Sequence, residues 1–315
     1  MREGTQATAF ADMTAEELRE RFEAQDYVAG EEIVTTVLLS LRLGKPLLVE
    51  GSPGAGKTEL AKVLAAGVGS DLVRLQCYEG LSAENALYEW NYTKQLLTVQ
   101  ADDRGVADED ASVFDEEFLL ERPLLEALRS GDDVPPVLLI DEVDRADEEF
   151  EALLLEVLSD FQVSVPELGT VAAETPPVVV ITSNRTRGLS DALKRRCLYL
   201  HVEPPSFEKE REIVRRKVPQ LDDAVAAELC GVTQRLRDEP LLKRPGVAEA
   251  LDLARALATL RSDGDDPISR SELQNAVGTV LKEAEDVDRV DEEMLDDLLE
   301  AAAGARTTVA NDDDD

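Results

Sequence analysis

The residues most able to do chemistry lie between Gly51 and Thr58. Gly51-Ser52-Pro53-Gly54-Ala55-Gly56-Lys57-Thr58 fills every fixed place of the G-x-x-x-x-G-K-[ST] phosphate loop. Glycines at such a turn let backbone N–H groups face inward and approach phosphate oxygens, where a side chain would collide. The helix that follows adds partial positive charge at its N-terminus. In this pattern the lysine, Lys57, reaches the β- and γ-phosphates of ATP, and the Thr58 hydroxyl ligates Mg²⁺. A chance glycine-rich turn would lack the flanks this motif requires. Here the apolar strand Leu47 to Val49 precedes it, and Leu60, Ala61, Val63 and Leu64 follow on a helix.

A second set of groups supplies what hydrolysis needs next. Pro135 to Ile140 is a continuous apolar run that closes on Asp141 and Glu142. Asp141 is placed to hold Mg²⁺ through its water shell, and Glu142 to orient and polarise the attacking water. Asp144 is the next candidate for that base. A solvated Asp-Glu pair at a strand end is common, so the reading rests on the phosphate loop beside it. Asn184 closes another apolar run, Pro177 to Thr182, and could hold the same water; alone it would read as a turn asparagine. Lys194-Arg195-Arg196 is a basic triplet ahead of the last strand. In isolation it reads as a solvated surface, yet an arginine there could meet the γ-phosphate of an adjacent subunit. Tyr27 and Val28, in the break before the second helix, are further candidate nucleotide-binding residues.

These groups must be positioned by a framework, and the periodicity supplies one. Thr14-Ala15-Glu16-Glu17 is a capping box opening a helix to about Ala24, and Glu31 to Leu43 reads as a second. Asp71 to Gln76 is a strand. From Tyr78 the pattern loosens through an aromatic cluster (Tyr88, Trp90, Tyr92), a polar loop (Asp102 to Asp110) and an apolar helix from Phe118 to Leu128. The aromatics suit either a binding surface or local packing anchors, with packing the commoner use. Runs without alternation fit strands buried on both faces of a parallel sheet. Asp147 to Glu149 opens a helix with Phe150, Leu153, Leu154, Val157, Leu158 and Phe161 on one face. Phe161, Val163 and Val165 then alternate with polar residues before Pro166-Glu167-Leu168-Gly169, a hairpin signature. A short helix, Ser190 to Arg195, leads to the strand Cys197 to Val202.

Pro204-Pro205 marks a boundary. Beyond it the expected elements are helices: Phe207 to Lys217, Asp222 to Arg237, Pro245 to Arg261, Ser271 to Glu285 and Glu292 to Ala303. Gly231 and Gly278 weaken two of them. Alternating strands and helices followed by helices alone predict an α/β parallel sheet with an all-helical C-terminal domain. Functional carboxylates at strand ends fall where open α/β sheets bind ligands.

Composition narrows the setting. The 315 residues carry 68 acidic against 33 basic side chains, a net charge of −35, with an ordinary 43% apolar content. Such a surface repels nucleic-acid phosphates and anionic membranes. It predicts adaptation to a salt-rich cytoplasm, where ions screen self-repulsion, or alternatively a basic protein partner. Cys77, Cys197 and Cys230 are isolated, without disulfide or zinc spacing, which predicts a reducing compartment. Neither a signal peptide nor a membrane-spanning run is recognisable, so a cytoplasmic location is expected. His201, the only histidine, is expected to pack or point outward.

The order of these motifs resembles the AAA+ ATPases of the MoxR family, and within it the CoxD-like branch associated with maturation of molybdenum-containing carbon monoxide dehydrogenase. Besides the phosphate loop, the resemblance is carried by residues 74–80, 87–92, 139–146, 158–163, 182–185 and 192–197, and it covers roughly residues 25 to 260. It implies a P-loop sheet of strand order 5-1-4-3-2, a helical lid, ATP and Mg²⁺ as ligands, and a homo-oligomeric ring, usually a hexamer. It carries Walker A onto Gly51 to Thr58, Walker B onto Asp141 and Glu142, sensor 1 onto Asn184, and the arginine finger onto Arg196, with Arg195 second. It divides the chain into an N-terminal helical extension (1–24), an ATPase domain (25–203), a lid (204–304) and an acidic tail (305–315). Within the ATPase domain, 78–117 resembles the family's helix-2 insertion and 161–173 its pre-sensor hairpin. One departure stands out. Relatives commonly place an arginine after a proline at the start of a lid helix as sensor 2, whereas Pro245 is followed here by Gly246. The function implied is a chaperone-like remodeller that assists assembly or metal-cofactor maturation, with a von Willebrand factor A domain protein and a client metalloenzyme as partners. The alternatives are a DNA-associated AAA+ motor or loader, which the acidic charge disfavours, and a small-molecule kinase.

Overall fold

The computed structural model describes residues 9–96, 118–130, 134–165, 169–261 and 265–312, which cluster into two compact units. The first holds the N-terminal residues and most of the chain to His201. Its opening helix α1 (Ala15–Glu23) starts at the Thr14 capping box and buries Leu18 and Phe22. Then come α2 (Glu31–Leu43), β1 (Leu47–Gly51), α3 (Lys57–Val68) and β2 (Leu72–Gln76). A short helix α4 (Ala83–Leu87) leads to β3 (Tyr88–Trp90), β4 (Leu119–Glu121), α5 (Pro123–Arg129) and β5 (Val137–Asp141). The unit continues with α6 (Glu148–Asp160), β6 (Gln162–Val165), β7 (Gly169–Ala172), β8 (Val178–Ser183), α7 (Asp191–Arg196) and β9 (Leu198–Val202).

Five of these strands form one sheet in the order β2-β5-β8-β1-β9. Numbered by their place along the chain and read from β9, that is the expected 5-1-4-3-2. Pairing is parallel, with Leu47 opposite Val180, Leu139 opposite Val180 from the other side, and Gln76 opposite Asp141. The strands β1, β5 and β8 are buried at every residue, which is why their sequences run apolar without alternation. The edge strand β2 buries Val73 and Leu75 and turns Arg74 and Gln76 outward.

The expected helix Phe118 to Leu128 is in fact a strand followed by a helix. Arg122 is extended (φ −103°, ψ 166°) because Pro123 disfavours the helical region before it, and Pro123 then opens α5 at its first turn. The freed segment β4 pairs antiparallel with β3. Tyr88 and Trp90 meet edge to face at 5.9 Å and pack against the core, while Tyr92 is exposed. The expected hairpin forms as β6 and β7. Its turn Pro166 to Leu168, the polar loop Asp102 to Asp110 and the rest of 97–117 lie outside the described residues.

The second unit contains Asp26–Val28, Ser52–Gly56 and Val202–Asp315. Its helices are α8 (Phe207–Lys217), α9 (Asp223–Asp238), α10 (Val247–Leu260), α11 (Arg270–Val280), α12 (Ala284–Asp288) and α13 (Glu292–Asp312). Two expected boundaries are corrected. The helix expected to reach Glu285 stops at Val280, where Leu281 turns extended. The last helix runs past Ala303 to Asp312, so the first part of the expected acidic tail is helical, and 313–315 lie outside the described residues. Val309 is buried, and Arg306 reaches the buried Glu228 at 2.8 Å, which fixes this extension to α9.

Gly231 explains itself at the contact of α9 with α13. A Cβ there would stand 2.7 Å from the Ala301 carbonyl oxygen and 2.9 Å from the Ala305 methyl. Gly231→Ala would gain about 1 kcal/mol of helix propensity, against about 1–3 kcal/mol for overpacking. The backbone atom cannot yield easily, so the clash wins. Denaturant unfolding should show a net loss of up to about 2 kcal/mol; a stabilised variant would show that α13 shifts freely.

Candidate functional site

The site begins where β1 runs into α3. Gly54 and Gly56 adopt φ of +78° and +90°, values that side-chain-bearing residues avoid, so the turn between strand and helix depends on them. Lys57 starts α3 and is only 6% exposed; its Nζ donates to the Gly51 carbonyl at 2.8 Å. Burial draws the Lys57 ammonium below its ordinary pKa, while the Asp144, Asp141 and Glu142 carboxylates pull the other way. The three carboxylates thus favour the charged ammonium against its burial.

The parallel register delivers the next groups. Thr58, one residue on, donates its Oγ1 to Asp141 Oδ1 at 3.0 Å. Asp141 is 2% exposed at the end of β5, and Thr182 of β8 donates to the same oxygen at 2.5 Å. Its other oxygen, Oδ2, accepts from Arg74 Nη2 at 2.6 Å and Nε at 3.1 Å. The hydroxyl of Thr58 and the carboxylate of Asp141 form a hard-oxygen donor pair, which fits Mg²⁺ completed by phosphate and water.

Glu142 follows in the left-handed conformation (φ 56°, ψ 49°), unusual for a residue with a side chain. Its N–H donates to Thr182 Oγ1 at 2.9 Å, so one threonine braces both carboxylate residues. Gln76 Nε2 and Arg145 Nη1 both reach Glu142 Oε2 at 3.2 Å. Gln76 is oriented for this by Arg74, whose Nη2 donates to Gln76 Oε1 at 2.6 Å.

Asp144, the reserve base, is committed elsewhere. It accepts from the N–H groups of Asn184 and Thr186 at 3.0 and 2.8 Å and from the Thr186 hydroxyl at 2.6 Å. Burial alone would raise its pKa, but the hydrogen bonds from Thr186 and Asn184 outweigh burial and hold it below the usual carboxylate value. Asp144 therefore fixes the backbone of Asn184 at the end of β8.

Further round, Arg185 is again left-handed (φ 60°). Its Nε donates to Glu50 Oε2 at 2.7 Å, and Glu50 also accepts from Tyr199 Oη at 3.1 Å. Arg195 and Arg196 end α7 and are exposed. Arg196 donates to Ser159 Oγ and to the Ala192 carbonyl, both at 3.1 Å. Neither partner belongs to the phosphate site.

Within the second unit, Tyr27 and Val28 group with Ser52, Pro53, Gly54, Ala55 and Gly56. Val247 N–H donates to the Gly54 carbonyl at 3.1 Å, and a Cβ on Gly246 would lie 2.7 Å from Gly54 Cα. This close approach gives a steric reason for glycine at position 246. Arg74, Gln76, Thr182 and Arg185 were not singled out as functional from sequence. The alternation of Arg74 and Gln76 with Val73 and Leu75 was the available signal, but only the register opposite β5 gives it meaning.

Residues 46–197 match the AAA domain family of the dynein-related subfamily. The chain is 26% identical over 269 residues to an uncharacterized protein of Staphylococcus haemolyticus, covering 82% of this chain and 92% of that one. It is also 26% identical over 197 residues to the uncharacterized protein YehL of Escherichia coli, covering 59% of this chain and 49% of YehL. Among solved structures, the Thermotoga maritima RuvB Holliday junction branch migration motor aligns with a TM-score of 0.43 and 18% identity, over 83% of this chain and 68% of that chain. Among the described residues no helix is long and apolar enough to cross a membrane. The match to the AAA domain family spans the segment that carries the phosphate loop, Asp141 and Asn184.

Proposed function

We propose that this protein is a Mg²⁺-dependent ATPase that forms a ring and uses hydrolysis to remodel other proteins in the manner of the MoxR family. The observation that carries the reading is the convergence of Lys57, Thr58, Asp141 and Glu142, with Thr58 and Asp141 in direct contact at 3.0 Å. Lys57 and the loop N–H groups hold the β- and γ-phosphates. Thr58 and Asp141 would hold Mg²⁺, whose charge offsets that of the phosphates when bound. Glu142 takes the proton of the attacking water, and Asn184, fixed through Asp144, orients that water. Arg196 of a neighbouring subunit, or Arg195 in second place, stabilises the charge developing on the transferred phosphoryl group. The client is a protein complex under assembly or cofactor maturation, a molybdenum hydroxylase being the case the family resemblance suggests, with a von Willebrand factor A domain protein as partner.

Lys57→Ala tests the core of this. Its buried ammonium donates to the Gly51 carbonyl within the loop, so affinity for a fluorescent ATP analogue should fall about 100-fold, on the scale of a lost charge-assisted phosphate contact. Wild-type affinity would remove Lys57 from the phosphate role. Steady-state phosphate release without a phosphorylated small molecule is expected. Strong stimulation by DNA would instead favour a nucleic-acid motor over a protein remodeller.

A further inference from the structure

We propose that Arg74 is a resident counter-ion of the metal-site carboxylate, keeping a free divalent cation off Asp141 until one arrives together with nucleotide. This rests on the nucleotide-site reading above and adds to it a residue and an order of events.

The starting point is that Asp141 is fully partnered by protein. Buried carboxylates are stable only when paired and hydrogen-bonded. Here Oδ1 takes two hydroxyl donors, Thr58 and Thr182, and Oδ2 takes two nitrogens of Arg74. A divalent cation approaching Oδ1 from the Thr58 side therefore meets a carboxylate whose charge is already matched. It also meets the positive charge of Arg74 a few ångströms behind it. Mg²⁺ sheds its water reluctantly, so a neutralised carboxylate offers a free ion little. A metal that comes with nucleotide brings its own phosphate charges, and these offset Arg74.

The side chain is built to yield. Arg74 is 48% exposed on the sheet's edge strand, whereas Lys57 is almost wholly buried. Its other contact, Gln76, is also on the exposed face of β2. Arg74 can thus relax toward solvent while keeping Gln76, without disturbing the core residues Val73 and Leu75 between them.

The test uses Mn²⁺ alone as a spectroscopic probe, titrated into the full-length protein without nucleotide and followed by electron paramagnetic resonance. Arg74→Met removes the charge at similar length and should bind Mn²⁺ at least tenfold more tightly than wild type. Arg74→Gln provides a second neutral variant should the first fold poorly. Arg74→Lys keeps the charge, though with fewer donors, and should stay within about threefold of wild type. A merely structural role would weaken or leave unchanged the site in all three. Adding Asp141→Asn to Arg74→Met should abolish the gain, locating the ion at Asp141. Neutral variants that bind Mn²⁺ no more tightly than wild type overturn the proposal while leaving the nucleotide site standing. A wild-type protein that takes up no Mn²⁺ even with a non-hydrolysable ATP analogue overturns both.

Discussion

Glu142→Gln is expected to bind ATP with wild-type affinity and to release phosphate about 10³-fold more slowly, the scale at which a positioned general base contributes. The substitution keeps the shape of the side chain. It retains an oxygen to accept from Gln76 and Arg145, so the loop geometry survives. What it loses is the capacity to take a proton from water. Asp144 is the next candidate base, and the geometry argues against rescue. Asp144 is buried and its oxygens accept from Asn184 and Thr186, so its side chain is held toward the end of β8. Phosphate release measured beside equilibrium binding separates the two effects. Turnover near the native rate would move the base elsewhere, and loss of binding would mean that Glu142 shapes the loop.

How much of this was legible in the sequence depends on whether a feature is local. The phosphate loop is read directly because its residues are consecutive and each has one physical job. The central strands are equally plain, since burial on both faces forces runs such as Val137 to Ile140 to be apolar throughout. The site around Asp141 was half legible. Its two ligating groups were named, but Arg74 and Thr182 lie 67 and 41 residues away and enter only through the register of β2 and β8 against β5. The same holds for Arg185, whose partner Glu50 is 135 residues distant. Helix ends failed where a tertiary contact overrode local signals. Nothing near Ala303 announces that Arg306 will pair with Glu228 and carry α13 on, whereas Pro123 did carry a local signal for the break that splits β4 from α5.

Arg196→Ala is expected to bind ATP and hydrolyse it about 10³-fold more slowly, the least that removal of an arginine finger costs. In its own chain Arg196 is tied to Ser159 and Ala192, and its hydrogen bonds reach none of Lys57, Asp141 or Glu142. It is exposed at the end of α7, whose start is pinned by Ser190 capping the helix while its own N–H donates to the buried Glu151. A cation fixed on a rigid helix end, away from its own phosphate loop, suits action on a neighbour's. Head-to-tail contacts of that kind close into rings. Arg195→Ala is the comparison: as the second choice it should cost less than Arg196→Ala, and the reverse order would exchange their roles. The decisive measurement mixes Arg196→Ala with Glu142→Gln, each inactive alone. A site on an Arg196→Ala subunit keeps its own Glu142 and can borrow Arg196 from a Glu142→Gln neighbour. After subunit exchange the mixed rings should regain measurable ATPase, because one site in such a pair has every group it needs. Mixed rings that form and stay silent would place Arg196 in a structural role at the end of α7, holding Ser159, and not at a neighbour's γ-phosphate.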